Sequence, residues 1–158
     1  MISPPARRRR CVVLSSVSSD SHTWNLVFLQ LLLEEHGYQV ENLGACVPDD
    51  LLVEVCLARI PDAVVISTVN GHGRLDGIRL ARRLRAEPAL AGIPMMIGGK
   101  LGLQGTADAA SQAELIAAGF DAVFEAGSGP EVAEFLARLG AASPARPALA
   151  GPAPGGNG

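Results

Sequence analysis

The sequence predicts an α/β domain built on a doubly wound, five-stranded parallel sheet. Short runs of aliphatic and β-branched residues alternate strictly with amphipathic helical segments along residues 11–139, the pattern of successive βαβ units. The composition is 48% hydrophobic but only 4% aromatic, so the core must be Val, Leu, Ile and Ala, as suits strands buried on both faces. A chain of 158 residues is expected to form one such core.

Strand 1 is read at Cys11 to Val17 and is followed by a Ser-rich turn and a helix from Trp24 to His36, closed by Gly37 at the position past a helix end that favours glycine. Strand 2 is read at Gln39 to Leu43. A second helix starts at Pro48, where proline in the first turn and Asp49 and Asp50 beside it suit the positive end of the helix dipole. Strand 3 is Ala63 to Ser67. The third helix is placed at Leu75 to Arg85, with Leu75, Ile78, Ala81 and Leu84 on the core face and its arginines on the wet face. Strand 4 is Pro94 to Ile97, ending at Gly98 and Gly99. A helix at Ala109 to Ala118, strand 5 at Asp121 to Phe124 and a helix at Pro130 to Leu139 complete the pattern. Right-handed crossovers then give a flavodoxin-like, Rossmann-like sheet of order 2-1-3-4-5.

Residues 1–10, a basic stretch with Pro4 and Pro5, and residues 140–158, rich in Ala, Pro and Gly, show no hydrophobic periodicity and are expected to be disordered tails flanking a domain at 11–139. The Arg7 to Arg10 run precedes an apolar segment that Ser15, Ser16, Ser18, Ser19 and Asp20 cut short, so it reads as a solvated tail rather than a signal peptide. No apolar run approaches the ~20 residues of a membrane-spanning helix. The net charge of −3 is uneven: between Cys11 and Leu139, eight basic residues face sixteen acidic ones. An acidic domain is a poor binder of nucleic acid. Three cysteines, Cys11, Cys46 and Cys56, without metal-ligand spacing fit a reduced, cytoplasmic setting.

Folds of this class bind ligands beyond the carboxyl ends of the strands. The loops there, residues 18–25, 67–73, 98–105 and 125–129, hold the unusual features of the sequence. In Asp20-Ser21-His22, side chains two apart in extended backbone point the same way, so the carboxylate can reach the imidazole, fix its tautomer and leave the other nitrogen as ligand or base. A free metal ion needs more protein ligands than this loop offers, which leaves two readings of His22. It is either the axial ligand of a macrocyclic metal, haem or corrin, or a loop histidine hydrogen-bonded to Asp20. Both residues are expected in a rim loop outside the core. His36 suits the dipole at a helix end. His72, between Gly71 and Gly73, either faces a cofactor or partner or is an exposed loop residue. Gly98-Gly99 either ends a strand in a tight turn or lets a ligand approach closely.

Asp20-Ser21-His22-Thr23-Trp24-Asn25, Ser67-Thr68-Val69 and Gly98-Gly99 together resemble the three-part signature of cobalamin-binding domains, Asp-x-His-x-x-Gly, Ser-x-Leu and Gly-Gly, in the same order and at the matching strand ends. The resemblance covers about residues 11–139 and is greatest to the small, cobalamin-binding subunits of glutamate mutase (methylaspartate mutase). It implies that His22 replaces the cofactor's own benzimidazole as axial ligand to cobalt and that Asp20 hydrogen-bonds His22. It further implies that the released nucleotide tail enters a slot between the sheet and the first helix, near Ser67 and Gly98-Gly99. The cofactor-binding set so implied is Ser19, Asp20, Ser21, His22, Thr23, Asn25, Ser67, Thr68, Val69, Gly98, Gly99 and Lys100. Asn25 stands where the family has glycine and Val69 where it has leucine. The implied function is the adenosylcobalamin-carrying subunit of a carbon-skeleton mutase, an isomerase inactive without a separate, larger substrate-binding subunit. A non-catalytic corrinoid carrier or sensor is the alternative.

Other functions of this fold class fare worse. A receiver domain needs an aspartate where Ser67 stands and a lysine where Glu125-Ala126-Gly127 follows strand 5. A flavin-binding protein could use Ser18, Ser19, Ser21 and Thr23 to cradle a phosphate, but this loop has no glycine and the rim no aromatic besides Trp24. No Gly-x-Ser-x-Gly elbow supports a hydrolase.

Overall fold

A computed structural model describes residues 9–69, 72–99, 109–125 and 129–142. In chain order the elements are β1 (Cys11–Ser16), α1 (Trp24–Glu35), β2 (Gln39–Asn42), α2 (Asp49–Arg59), β3 (Ala63–Thr68), α3 (Gly73–Ala86), a 3-10 turn at Pro88–Leu90, β4 (Met95–Gly99), α4 (Ala109–Ala118), β5 (Ala122–Glu125) and α5 (Gly129–Ala142). All strand pairs are parallel and the order is β2-β1-β3-β4-β5, as expected.

The period-two rule divides the strands between two cores. Val13, Val64, Ile66, Met95 and Ile97 face one cluster, which includes Leu52 and Cys56 of α2 and Leu80, Ala81 and Leu84 of α3. Val12, Leu14, Ala63, Val65 and Met96 face the other, with Leu26 and Leu33 of α1 and Val132 and Leu136 of α5. All six residues of β3 are buried, because it is the central strand covered on both faces. Burial pushes the Cys56 thiol up to about 12, so it packs as a small apolar side chain.

Several boundaries differ from expectation. β3 and β4 reach one and two residues further toward the carboxyl rim, since Ser67 pairs with Gly98 and Thr68 with Gly99; glycine concealed that pairing. Leu75 is 62% exposed, and the buried residues of α3 are Gly73, Gly77, Leu80, Ala81 and Leu84. The expected core face, drawn through Leu75 and Ile78, left out the two buried glycines, one of which precedes the expected helix start. α5 continues to Ala142, three residues into the expected carboxyl tail. Arg10, assigned to the amino tail, already joins the sheet, its carbonyl accepting the Gln39 N–H at 2.8 Å. Residues 1–8 and 143–158 of the expected tails lie outside the described residues.

The arginines of α3 are not simply a wet face. Arg85 donates to the carbonyls of Leu90, Ala91, Ile93 and Gly119 and to Asp121 Oδ2. It thereby ties α3 to the turn before β4 and to the start of β5. Hydrogen bonds from a charged donor contribute more than neutral ones. Arg85→Ala is expected to cost about 2 kcal/mol in urea unfolding, whereas Arg82→Ala, on an exposed residue of the same helix, should stay within about 0.5 kcal/mol.

Candidate functional site

At the carboxyl rim the β1–α1 loop is pinned at both backbone and side chain. Asp20 N–H bonds to Val17 O, Asp20 O accepts from Cys46 N at 2.8 Å, and Ser16 Oγ donates to Asp20 O at 3.3 Å. The Asp20 side chain is wholly buried, against the expectation that both residues lie outside the core, whereas His22 is exposed as expected. Its Oδ2 accepts the Val69 N–H at 2.6 Å, linking the loop to the end of β3. Its Oδ1 accepts the His22 N–H at 3.0 Å and lies 2.7 Å from His22 Nδ1.

Burial opposes ionisation of Asp20, but backbone hydrogen bonds from His22 and Val69, with side-chain bonds from His22 and Thr68, outweigh it and hold the carboxyl below the ordinary aspartate value. An ionised carboxylate can only accept, so the hydrogen sits on Nδ1 and the lone pair on Nε2 of His22. The His22 side chain is 49% exposed. The anchored ring is half exposed, with Nδ1 engaged by Asp20. Because the folded carboxyl titrates below its unfolded value, Asp20 contributes stability above pH ~4 that is lost as pH falls through the lowered folded value. Urea midpoints measured against pH should show a decline on the acid side that is shallower in Asp20→Asn.

A polar network outside this pair holds the same loop. Arg79 of α3 donates to Asp49 Oδ2 at 2.7 Å, to Asp76 Oδ1 at 3.0 Å and to Ser18 Oγ at 3.0 Å, while Ser19 Oγ donates to Asp76. Hydrogen bonding to Asp49, foremost, keeps the guanidinium more firmly protonated than usual. Sequence reading missed Asp49, Asp76 and Arg79, and missed Thr68 as a partner of the Asp20 carboxylate. The Ser18 and Ser19 hydroxyls are engaged beside two carboxylates, an environment unsuited to the phosphate of a flavin nucleotide.

The second group of expected residues meets between the sheet and α1. Strand alternation places Ser16, Ser67 and Gly98 on the sheet face that carries Val12, Leu14, Val65 and Met96, and register sets Ser67 between Ser16 and Gly98. From the first turn of α1, Asn25 Nδ2 donates to Ser67 Oγ at 2.6 Å. Asn25 Oδ1 is buried and has no hydrogen-bond partner. The structure therefore brings Asn25, Ser67 and Gly98 together in one place and Asp20, His22, Thr68 and the Val69 backbone in another. The Val69 contact is made by its backbone N–H, which valine and leucine both supply.

The remaining expected residues divide differently. Ser21 and Thr23 are exposed on the loop, and Thr23 begins α1 through its carbonyl, which accepts from Leu26 N and Val27 N. Gly99 has φ +114, and a Cβ there would lie 1.8 Å from Thr68 O. Backbone packing alone demands glycine at 99. A Cβ at Gly98 would meet Phe124 O at 3.4 Å, an ordinary contact, so backbone packing does not demand glycine there. His72 begins α3 with an exposed side chain, and Lys100 lies outside the described residues. Among the described residues no cluster of three or more His, Cys, Asp or Glu could hold a metal ion unaided, and no helix is long and apolar enough to cross a membrane.

Residues 10–134 match the family described as the B12 binding domain. The chain belongs to the B12-binding domain family. The glutamate mutase sigma subunit 1 of Haloarcula marismortui is 32% identical over 126 residues, covering 78% of this chain and 81% of that one. The sigma subunit of Fusobacterium nucleatum is 28% identical over 120 residues, covering 76% and 88%. Among solved structures, a cobalamin-binding protein from Desulfitobacterium hafniense superposes with a TM-score of 0.70 at 20% identity, over 84% of this chain and 60% of that one. A response regulator from Chloroflexus aurantiacus superposes with a TM-score of 0.65 at 17% identity, over 85% and 99%. At such identities the superpositions show the shared fold alone. What separates a B12-binding domain from a receiver here is the site: Ser67, paired with Asn25, stands at the end of β3, and the β1 loop carries the Asp20–His22 pair.

Proposed function

We propose that this chain is the cobalamin-carrying small subunit of an adenosylcobalamin-dependent carbon-skeleton mutase of the glutamate mutase type. The observation that carries the reading is the anchored, half-exposed His22, with Nδ1 on the buried Asp20 carboxylate. Its other nitrogen, Nε2, suits the open axial position of a metal whose other ligands come from a macrocycle. The residues present fit a corrinoid in a second respect. Between the sheet and α1, Asn25 Oδ1 is a buried acceptor with no hydrogen-bond partner among the described residues. His22 would hold the cobalt, Asp20 would keep the imidazole in its ligating tautomer, and Ser67, Asn25 and Gly98 would receive the nucleotide tail. When bound, adenosylcobalamin supplies the radical chemistry of the rearrangement, and the protein supplies ligation and placement.

The sigma-subunit names of the relatives support a mutase role shared with another subunit. A surface feature supports the partner. Trp24, Val27, Phe28 and Leu31 form an exposed stripe along α1, adjoining His22, and an apolar stripe at helical spacing is normally covered. A corrinoid carrier without a mutase role is the second reading, since the match to the B12 binding domain and the Asp20–His22 pair would serve a carrier equally.

The test is to titrate the purified chain with cobalamin and adenosylcobalamin and follow the absorption spectrum. Binding with loss of the benzimidazole-ligated spectrum is expected, with no turnover of glutamate by the chain alone. Adding a larger mutase subunit should then yield 3-methylaspartate. Turnover by the chain alone would refute the two-subunit account, and binding that no mutase subunit converts into turnover would favour the carrier reading.

A further inference from the structure

The turn that leads from β1 into the His22 loop is held from α3, on the sheet face opposite α1. Its two central residues are Ser18 and Ser19, since the Asp20 N–H bonds to the Val17 carbonyl at 3.1 Å. Ser18 Oγ accepts from Arg79 Nη2 at 3.0 Å, and Ser19 Oγ donates to Asp76 Oδ2. Arg79 joins the pieces. Its Nε donates to Asp49 Oδ2 at 2.7 Å and its Nη1 to Asp76 Oδ1 at 3.0 Å, so with Ser18 every guanidinium nitrogen is engaged. Asp49 begins α2 and Asp76 lies in the first turn of α3, so one side chain ties two helix starts to the turn. Ion pairs between solvated groups contribute little, but the Asp49 and Asp76 side chains are only 10% and 14% exposed. Without the guanidinium, two nearly buried carboxylates that meet at one cation would repel each other beside Ser18.

We propose that Arg79 is a positioning residue for the cobalt ligand: by fixing the Val17–Asp20 turn it sets where Asp20, and through Asp20 the His22 imidazole, stands before a corrinoid arrives. The inference rests on the corrinoid reading above and deepens it. Asp20 is held on its other side by the N–H groups of Cys46 and Val69, and those bonds keep their geometry only while the turn delivers the backbone to the same place. A ligating group that must be ordered on binding loses affinity to that ordering, so placement in the free chain strengthens ligation. Arginine suits the task because its planar fork spans several partners in fixed geometry, whereas a lysine ammonium answers the charge without the fork.

The experiment compares the parent with Arg79→Ala, with Arg79→Lys, which keeps the charge opposite Asp49 and Asp76, and with Arg82→Ala, a control for net charge on an exposed residue of the same helix. Amide hydrogen exchange is followed by nuclear magnetic resonance in the ligand-free chain and cobalamin affinity by absorption, at a temperature where circular dichroism shows each protein folded. In the Arg79 variants the Asp20 and His22 N–H groups are expected to exchange about tenfold faster through local opening of the loop. Cobalamin should bind them about tenfold more weakly, the lower end of what losing support for a ligating histidine costs. Arg82→Ala should match the parent in both. A merely structural Arg79 would quicken exchange in β3 through lowered global stability and leave both the loop's own opening and the affinity of the folded protein unchanged. Parental loop exchange or parental cobalamin affinity in whichever Arg79 variant folds overturns the proposal while leaving the corrinoid reading intact. A parent that binds no cobalamin overturns the corrinoid reading itself.

Discussion

Gly99→Ala is expected to cost more than about 4 kcal/mol and to leave little folded protein at room temperature. The added Cβ would lie 1.8 Å from Thr68 O and 2.9 Å from Thr68 C. Both are backbone atoms of the central strand, so no side-chain rotation relieves the clash. The residue also has φ +114, a conformation that side-chain-bearing residues rarely adopt. Relief would require β3 and β4 to separate where Thr68 pairs with Gly99, beside the backbone that holds Asp20. Gly98→Ala is the internal control. Its Cβ meets nothing closer than 3.4 Å, so urea unfolding should move by less than about 1 kcal/mol while the methyl group, placed between the sheet and α1, weakens corrinoid binding. Equal losses of stability at both positions would contradict this division of roles.

His22→Ala should leave the apo protein nearly as stable as the parent, because its ring is half exposed, yet remove most of the stabilisation that a corrinoid confers. At a hundredfold excess over the dissociation constant, a ligand specific for the folded state raises stability by about 2.7 kcal/mol. The variant keeps only what the nucleotide tail supplies. Activity reconstituted with a larger subunit should be nearly abolished. Asp20→Asn should behave differently. Removing a carboxylate that orients a ligating histidine costs roughly 10–100-fold in metal affinity or activity. Because Asp20 is buried with partners on two segments, the apo protein should also lose about 1–2 kcal/mol. A His22→Ala chain that melts well below the parent without ligand, yet gains as much from cobalamin, would mark His22 as structural.

Much of this was readable from the sequence because its signals are local. Aliphatic runs, Gly37 past the end of α1 and the alternation of strand and helix gave the topology. The two-residue spacing of Asp20 and His22 gave the pair at 2.7 Å. What escaped reading lies between residues far apart in the chain. Val69 meets Asp20 across 49 residues and Arg79 meets Ser18 across 61, and neither contact leaves a spacing to find. Glycine misled twice. It hid the last pairs of β3 with β4 at Gly98 and Gly99 and the buried stripe of α3 at Gly73 and Gly77, where the missing side chain is what permits the close packing. The dual character of α1, with Leu26 and Leu33 buried and Trp24, Val27, Phe28 and Leu31 exposed, also needed the structure, since the helix is apolar on both sides.

The central claim, that His22 Nε2 is the protein's ligand to cobalt, is tested most directly by electron paramagnetic resonance of the chain loaded with the paramagnetic cobalt(II) form of cobalamin. The nitrogen superhyperfine pattern reports the axial donor. With protein grown on heavy-nitrogen-labelled histidine, the triplet splitting should collapse to a doublet, and the labelled His22→Ala protein should show no such change. A triplet that persists in the labelled parent would place the cofactor's own base on the cobalt and contradict the account.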